Sequence, residues 1–91
     1  MNNNKIKETM KLYIVTETNK ENNMMLRSWV CFSKEEANEC LKAHYELACT
    51  YNRIAGVSDP TDCLDYGFFF WSLSDGQELK YKIEETKTFV E

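Results

Sequence analysis

Residues 68–83 read Phe-Phe-Phe-Trp-Ser-Leu-Ser-Asp-Gly-Gln-Glu-Leu-Lys-Tyr-Lys-Ile, two strand-like runs meeting at Ser74-Asp75-Gly76. An Asp-Gly pair between apolar runs marks a hairpin turn. Two registers satisfy it. A two-residue Asp75-Gly76 turn pairs Trp71 with Lys80 and places Phe69, Trp71 and Leu73 on one face with Lys80 and Lys82. A three-residue Ser74-Asp75-Gly76 loop, with Gly76 left-handed, pairs Trp71 with Leu79 instead. Phe69, Trp71, Leu73, Leu79, Tyr81 and Ile83 then line one face without a polar interruption, and this register is the preferred one. Its other face carries Tyr66, Phe68 and Phe70 beside Lys80 and Lys82. Either register leaves at least two large aromatics on each side of the hairpin, so the strands are apolar on both faces.

Working outward, residues 11–17 and 24–32 also read as strands, joined by the polar cluster Asn19-Lys20-Glu21-Asn22-Asn23. Between the two hairpins lies a helix of about residues 34–55. Ser33 and Glu36 form a capping box at its start, and Gly56 is placed to end it. Ala37, Cys40, Leu41, His44, Leu47, Ala48, Tyr51 and Ala55 fall on one stripe at helical spacing, with Leu41 and Tyr51 as core. Glu35, Glu39, Lys42, Glu46 and Arg53 occupy the solvent side. Residues 57–65 read as a loop and residues 1–10 as a flexible tail before a single domain of 11–91. The order ββαββ predicts an α+β two-layer sandwich with a mainly antiparallel, four-stranded sheet and one helix on one face.

One helix is about 10 Å wide, whereas four strands span roughly 19 Å. The helix therefore leaves much of a two-faced apolar sheet uncovered. Tyr66, Phe68, Phe70, Lys80 and Lys82 are the residues expected to form a surface for a second copy or a partner protein. Loop 57–65 or the N-terminal tail folding over them is the competing arrangement.

Composition narrows the function. Aromatic content of 13% excludes a disordered chain, and no apolar run reaches the ~20 residues of a membrane helix. The start, Met1-Asn2-Asn3-Asn4-Lys5, lacks the apolar stretch of a secretory signal, so a cytoplasmic protein with Cys31, Cys40, Cys49 and Cys63 as free thiols is expected. A net charge of −4 argues against direct nucleic-acid binding and suits docking onto a basic partner.

The chemistry-bearing constellations are sparse. Cys40 and His44 stand at i, i+4 and could join Cys31 and Cys63 around zinc, or act as a Cys–His nucleophile pair. Their position in the apolar stripe favours a structural role. Asp59, Asp62 and Asp65 are too widely spaced for a cation loop and read as a solvated acidic loop with Asp59-Pro60 starting a turn, which is also a candidate for acidic contacts with Arg or Lys of a partner. Lys80 and Lys82 beside aromatics suit stacking of a nucleotide-like ligand at a dimer interface. The three glycines form no phosphate loop. No metal or cofactor is expected, and no catalytic site.

In general character, a short, acidic, motif-free α/β chain with an exposed aromatic sheet is similar to the small inhibitors that phages and mobile elements use against host defences. That likeness is one of type and rests on no residue motif. It implies a non-enzymatic binding protein, expected to be a homodimer, that occludes a surface of a larger, nucleic-acid-binding protein. The alternative reading is a small-ligand binding or sequestering protein.

Overall fold

The structure, a computed structural model, describes residues 8–90, with side chains described over 11–86. Five strands and one helix follow in the order β1 (Glu8–Asn19), β2 (Met25–Cys31), α1 (Lys34–Ala55), β3 (Thr61–Cys63), β4 (Phe68–Ser72) and β5 (Glu78–Val90), with a short 3-10 turn at Leu64–Tyr66 before β4. The sheet is antiparallel throughout, with strand order β2-β1-β5-β4-β3. The first and last strands are thus central neighbours, and α1 carries the chain across the sheet from one edge to the other.

Three differences from the sequence reading stand out. The sheet has five strands rather than four, because Thr61–Cys63 pairs with Phe68–Phe70. So short a segment has no periodicity to read, and the buried Pro60 at its start suits an edge strand, where a missing N–H costs nothing. Residues 8–10 belong to β1, opposite residues 88–90 of β5, so the backbone pairing starts three residues earlier than the strand start expected at 11. Residues 1–7 of that tail lie outside the described residues. Finally, the helix buries a different stripe, with Asn52 inward and Tyr51 outward.

The turn chemistry explains the hairpins. Asn19 and Asn22 accept hydrogen bonds from the backbone N–H groups of Glu21 and Met24 through their side-chain oxygens. Asn23 takes φ +59°, a conformation asparagine tolerates. In the second hairpin Trp71 pairs with Leu79, so the register without a polar interruption is the one formed. Leu73 N–H donates to Gln77 across a three-residue loop, and Gly76 sits at φ +93°, as that loop requires.

The helix starts where Ser33 Oγ accepts from Glu36 N–H at 3.0 Å. Glu36 reaches back to the N–H of Phe32 at 2.7 Å, one residue earlier than the usual box. It ends on Gly56 at φ +76°, with Gly56 N–H bonded to Arg53 C=O and Val57 N–H to Asn52 C=O, a paired closure of the last turn. Between these caps the buried residues are Ala37, Leu41, Ala48, Cys49 and Asn52. Tyr51, expected in the core, is 56% exposed and Leu47 is 51% exposed. The stripe is rotated because Asn52 is drawn inward. Its side-chain oxygen accepts from Trp71 Nε1 at 2.8 Å, while its amide donates to Ser58 C=O at 2.8 Å and Ser72 C=O at 3.3 Å. Tyr51 instead stacks on the outside of Trp71.

The core lies between α1 and one face of the sheet: Val15, Cys31, Ala37, Leu41, Ala48, Phe69, Leu79 and Tyr81 pack as one cluster. Phe69 and Tyr81 stack nearly parallel with ring centres 4.7 Å apart, and Tyr45 meets Phe69 edge-on at 5.3 Å. Among the described residues, no helix is long and apolar enough to cross a membrane.

Candidate interaction surface

Strand alternation decides which side chains reach the face opposite α1. Phe69, Trp71 and Tyr81 point toward the helix, so Phe68, Phe70, Lys80 and Lys82 point away. Phe70 lies opposite Lys80 and Phe68 opposite Lys82. The two rings meet edge-to-face at 5.5 Å. Lys80 Nζ sits 5.0 Å from the centre of Phe68 and 5.5 Å from that of Phe70. Lys20, from the first turn, brings a second ammonium 4.7 Å from Phe70. Cation over ring is an attractive arrangement that keeps each lysine stem flat on the sheet.

The local charge is positive. Lys20 pairs with Glu78 at 3.2 Å and Lys82 with Glu84 at 2.7 Å, while Lys80 has no carboxylate partner among the described residues. Beside Lys82, Thr16 is buried on this face, and its Oγ1 has no hydrogen-bond partner. Such a group costs free energy until something bonds it.

Loop 57–65 does not fold over this face. Its second half joins the sheet edge as β3, and the chain then turns through Leu64–Tyr66. Four of the five expected surface residues are therefore brought together: Phe68, Phe70, Lys80 and Lys82. Tyr66 is not among them. The 3-10 turn takes it out of the strand, and it stands 83% exposed at the rim of a cleft on the helix side, about 740 Å³ in volume, with Tyr13, Leu41 and Ile83. Lys20 was missed because it sits in a turn, where strand alternation does not apply.

The three aspartates do not converge. Asp59 makes a two-pronged pair with Arg53 at 3.0 and 3.2 Å. Asp62 accepts from Leu64 N–H within its own turn, and Asp65 is exposed beside it. Asp62 and Asp65 share the helix-side cleft with Lys34 and Lys42.

Cys40 and His44 do meet, at 3.8 Å, but His44 Nδ1 donates to the Cys40 carbonyl at 2.9 Å. Burial, with Cys31 close by, pushes the Cys40 thiol up to about 11, so it stays protonated near neutral pH and is a weak nucleophile. Cys63 lies opposite Phe68 on the far side of the sheet from Cys31 and Cys40, so the four residues of the zinc reading do not surround one point. All four cysteines are free thiols.

A polar cluster under the helix has no sequence signature. Glu17, 5% exposed, accepts from Arg27 through two bonds of 2.9 and 3.1 Å and from the Tyr81 hydroxyl. Burial alone pushes the Glu17 carboxyl up, but the bonds from Arg27 and Tyr81 and the Arg27 charge outweigh it and hold the group below its ordinary value. Burial and the Glu17 carboxylate hold the Tyr81 hydroxyl well above its usual range. Arg27 also lies 5.1 Å over Trp29, whose ring packs on His44 at 4.2 Å. Both oxygens of the Glu17 carboxylate are bonded to neighbours on other strands, which makes the cluster a brace between β1, β2 and β5.

Comparison with protein families, with curated proteins and with solved structures finds no match to this chain.

Proposed function

We propose that this chain is a non-enzymatic binding protein that acts by occlusion, setting its open sheet face against a larger protein and blocking it as an inhibitor does. The observation that carries this reading is the half-buried Phe68–Phe70 pair, on the face opposite α1, with lysines lying over its rings. Both rings are already half-buried, so what a partner covers is their remaining edges and the lysine stems, at about 25 cal/mol per Å² of apolar area. The sign of the fringe refines the partner's chemistry: it is an apolar patch carrying a carboxylate to meet Lys80, since Lys20 and Lys82 are already paired with Glu78 and Glu84. A basic, nucleic-acid-binding groove would be better met by the helix, whose solvent side carries Glu35, Glu39 and Glu46. An anti-defence role of the phage type, in the cytoplasm, fits the small size and the free thiols.

The test is a footprint. With the partner captured from the native host, acetylation of Lys80 and Lys82 should slow in the complex, and Phe70→Glu should abolish capture while leaving circular dichroism unchanged. Undiminished acetylation of both lysines would place the contact elsewhere. A second reading, a nucleotide-like ligand stacked on the rings, draws on Lys80 standing over both at once. It requires a small molecule released by denaturing the purified protein, visible by mass spectrometry.

A further inference from the structure

The two edges of the sheet are unlike. One is β3, three residues long, entered through Pro60 and carrying Asp62. Short length, proline and charge are the devices that keep a sheet edge from pairing with another chain. The other edge is β2, seven residues bonded, among the described residues, to β1 alone and holding neither proline nor lysine. Its single charge, Arg27, is fixed on Glu17 and Trp29. Leu26 and Val30 on this edge are 47% and 55% exposed, and Phe32 just beyond it is 68% exposed. From the geometry we infer that β2 pairs edge to edge, antiparallel, with β2 of a second copy of this chain, joining two sheets into one of ten strands.

The sequence of β2 fits itself in one register. The β1–β2 ladder shifts between Glu17 and Thr18, leaving Leu26 as an extra residue, and runs regularly only over Arg27–Cys31. A twofold axis through Trp29 uses the whole of that regular stretch. It sets Trp29 against Trp29 of the second copy, Ser28 against Val30, and Arg27 against Cys31. Paired aromatics across strands are favourable. An axis through Arg27 would oppose two guanidinium groups, and one through Ser28 would run the copy onto the irregular residue. The contact is isologous and closes on itself, so it yields a dimer rather than a fibre. Such an axis keeps both helices on one side and both Phe68–Phe70 pairs on the other. The inference stands apart from what the open face binds.

Native mass spectrometry and sedimentation velocity should show a species of twice the 10.7 kDa chain mass. Val30→Lys adds a charge at an exposed edge position and should weaken the dimer at least about tenfold with circular dichroism unchanged. In the wild type, exchange of amides within Arg27–Cys31 should slow as protein concentration rises, because pairing covers the outer edge. A chain that stays monomeric at high concentration, a dimer that survives Val30→Lys, or β2 amide exchange indifferent to concentration would each overturn the inference. So would a dimer lost only in Phe70→Glu, which would assign self-association to the open face.

Discussion

Glu17 is the residue on which the most depends per atom. Its carboxylate is buried, yet Arg27, its strongest partner, is largely exposed, with side-chain accessibilities of 6% and 62%. Removing the two ends should therefore not be equivalent. Arg27→Ala leaves a buried carboxylate with Tyr81 alone and should cost about 1–3 kcal/mol. Glu17→Gln frees an arginine that can turn to water, and should cost less. The pair also sets an acid limit. Because the folded carboxyl is held below its ordinary value, its stabilisation is fully present above the usual carboxylate range, near pH 4, and is lost as pH falls through the folded value. Denaturant midpoints measured from neutral to acid pH should fall more steeply for wild type than for Glu17→Gln, and equal slopes would show that Glu17 does not drive the loss. None of this is legible in Leu12-Tyr13-Ile14-Val15-Thr16-Glu17, where an acid at a strand end reads as solvent-facing. Its partners lie 10 and 64 residues away.

At the scale of elements, local signals served well where the physics is local. The capping box and Gly56 bracket a helix whose bounds, Lys34–Ala55, match the expected span, since caps are made by neighbours in sequence. The choice between hairpin registers also held, because a single uninterrupted apolar face and the Ser-Asp-Gly loop favour the same pairing. The helix face did not follow. Counting apolar residues favours Tyr51, while the structure buries Asn52, a polar side chain whose three partners come from Ser58, Trp71 and Ser72. The consequence is measurable by chemical denaturation. Leu41→Ala, at a site 1% exposed, should cost about 2–4 kcal/mol. Tyr51→Ala gives up one stacking contact on Trp71 and should cost about 1 kcal/mol. Comparable losses at both sites would mean that the helix is rotated toward the stripe expected from hydropathy.

For the whole molecule, the sequence specified two hairpins and a helix but not how the hairpins abut, since nothing in either hairpin names its neighbour. The open aromatic face was readable through register at Phe68, Phe70, Lys80 and Lys82, and misread at Tyr66, where the chain leaves the strand early. The central β1–β5 ladder, running from Glu8 opposite Val90 to Asn19 opposite Leu79, was not readable at all. That ladder governs time as well as shape. Closing a loop of some sixty residues costs entropy before any contact repays it, so chains joined this way fold slowly. During synthesis β5 leaves the ribosome after every other element, and until it does Phe69 has no Tyr81 to stack on and Glu17 lacks the Tyr81 hydroxyl. Stalled nascent chains ending before Leu79 should accordingly be cut readily by protease, and chains that have released β5 should resist. Protection of the shorter chains would mean that the first hairpin and the helix already hold together alone. As the structure stands, the strand at the middle of the sheet is the last of the described elements to be made, and every earlier nascent form holds the helix and the first hairpin without the Phe69–Tyr81 stack at the centre of the core.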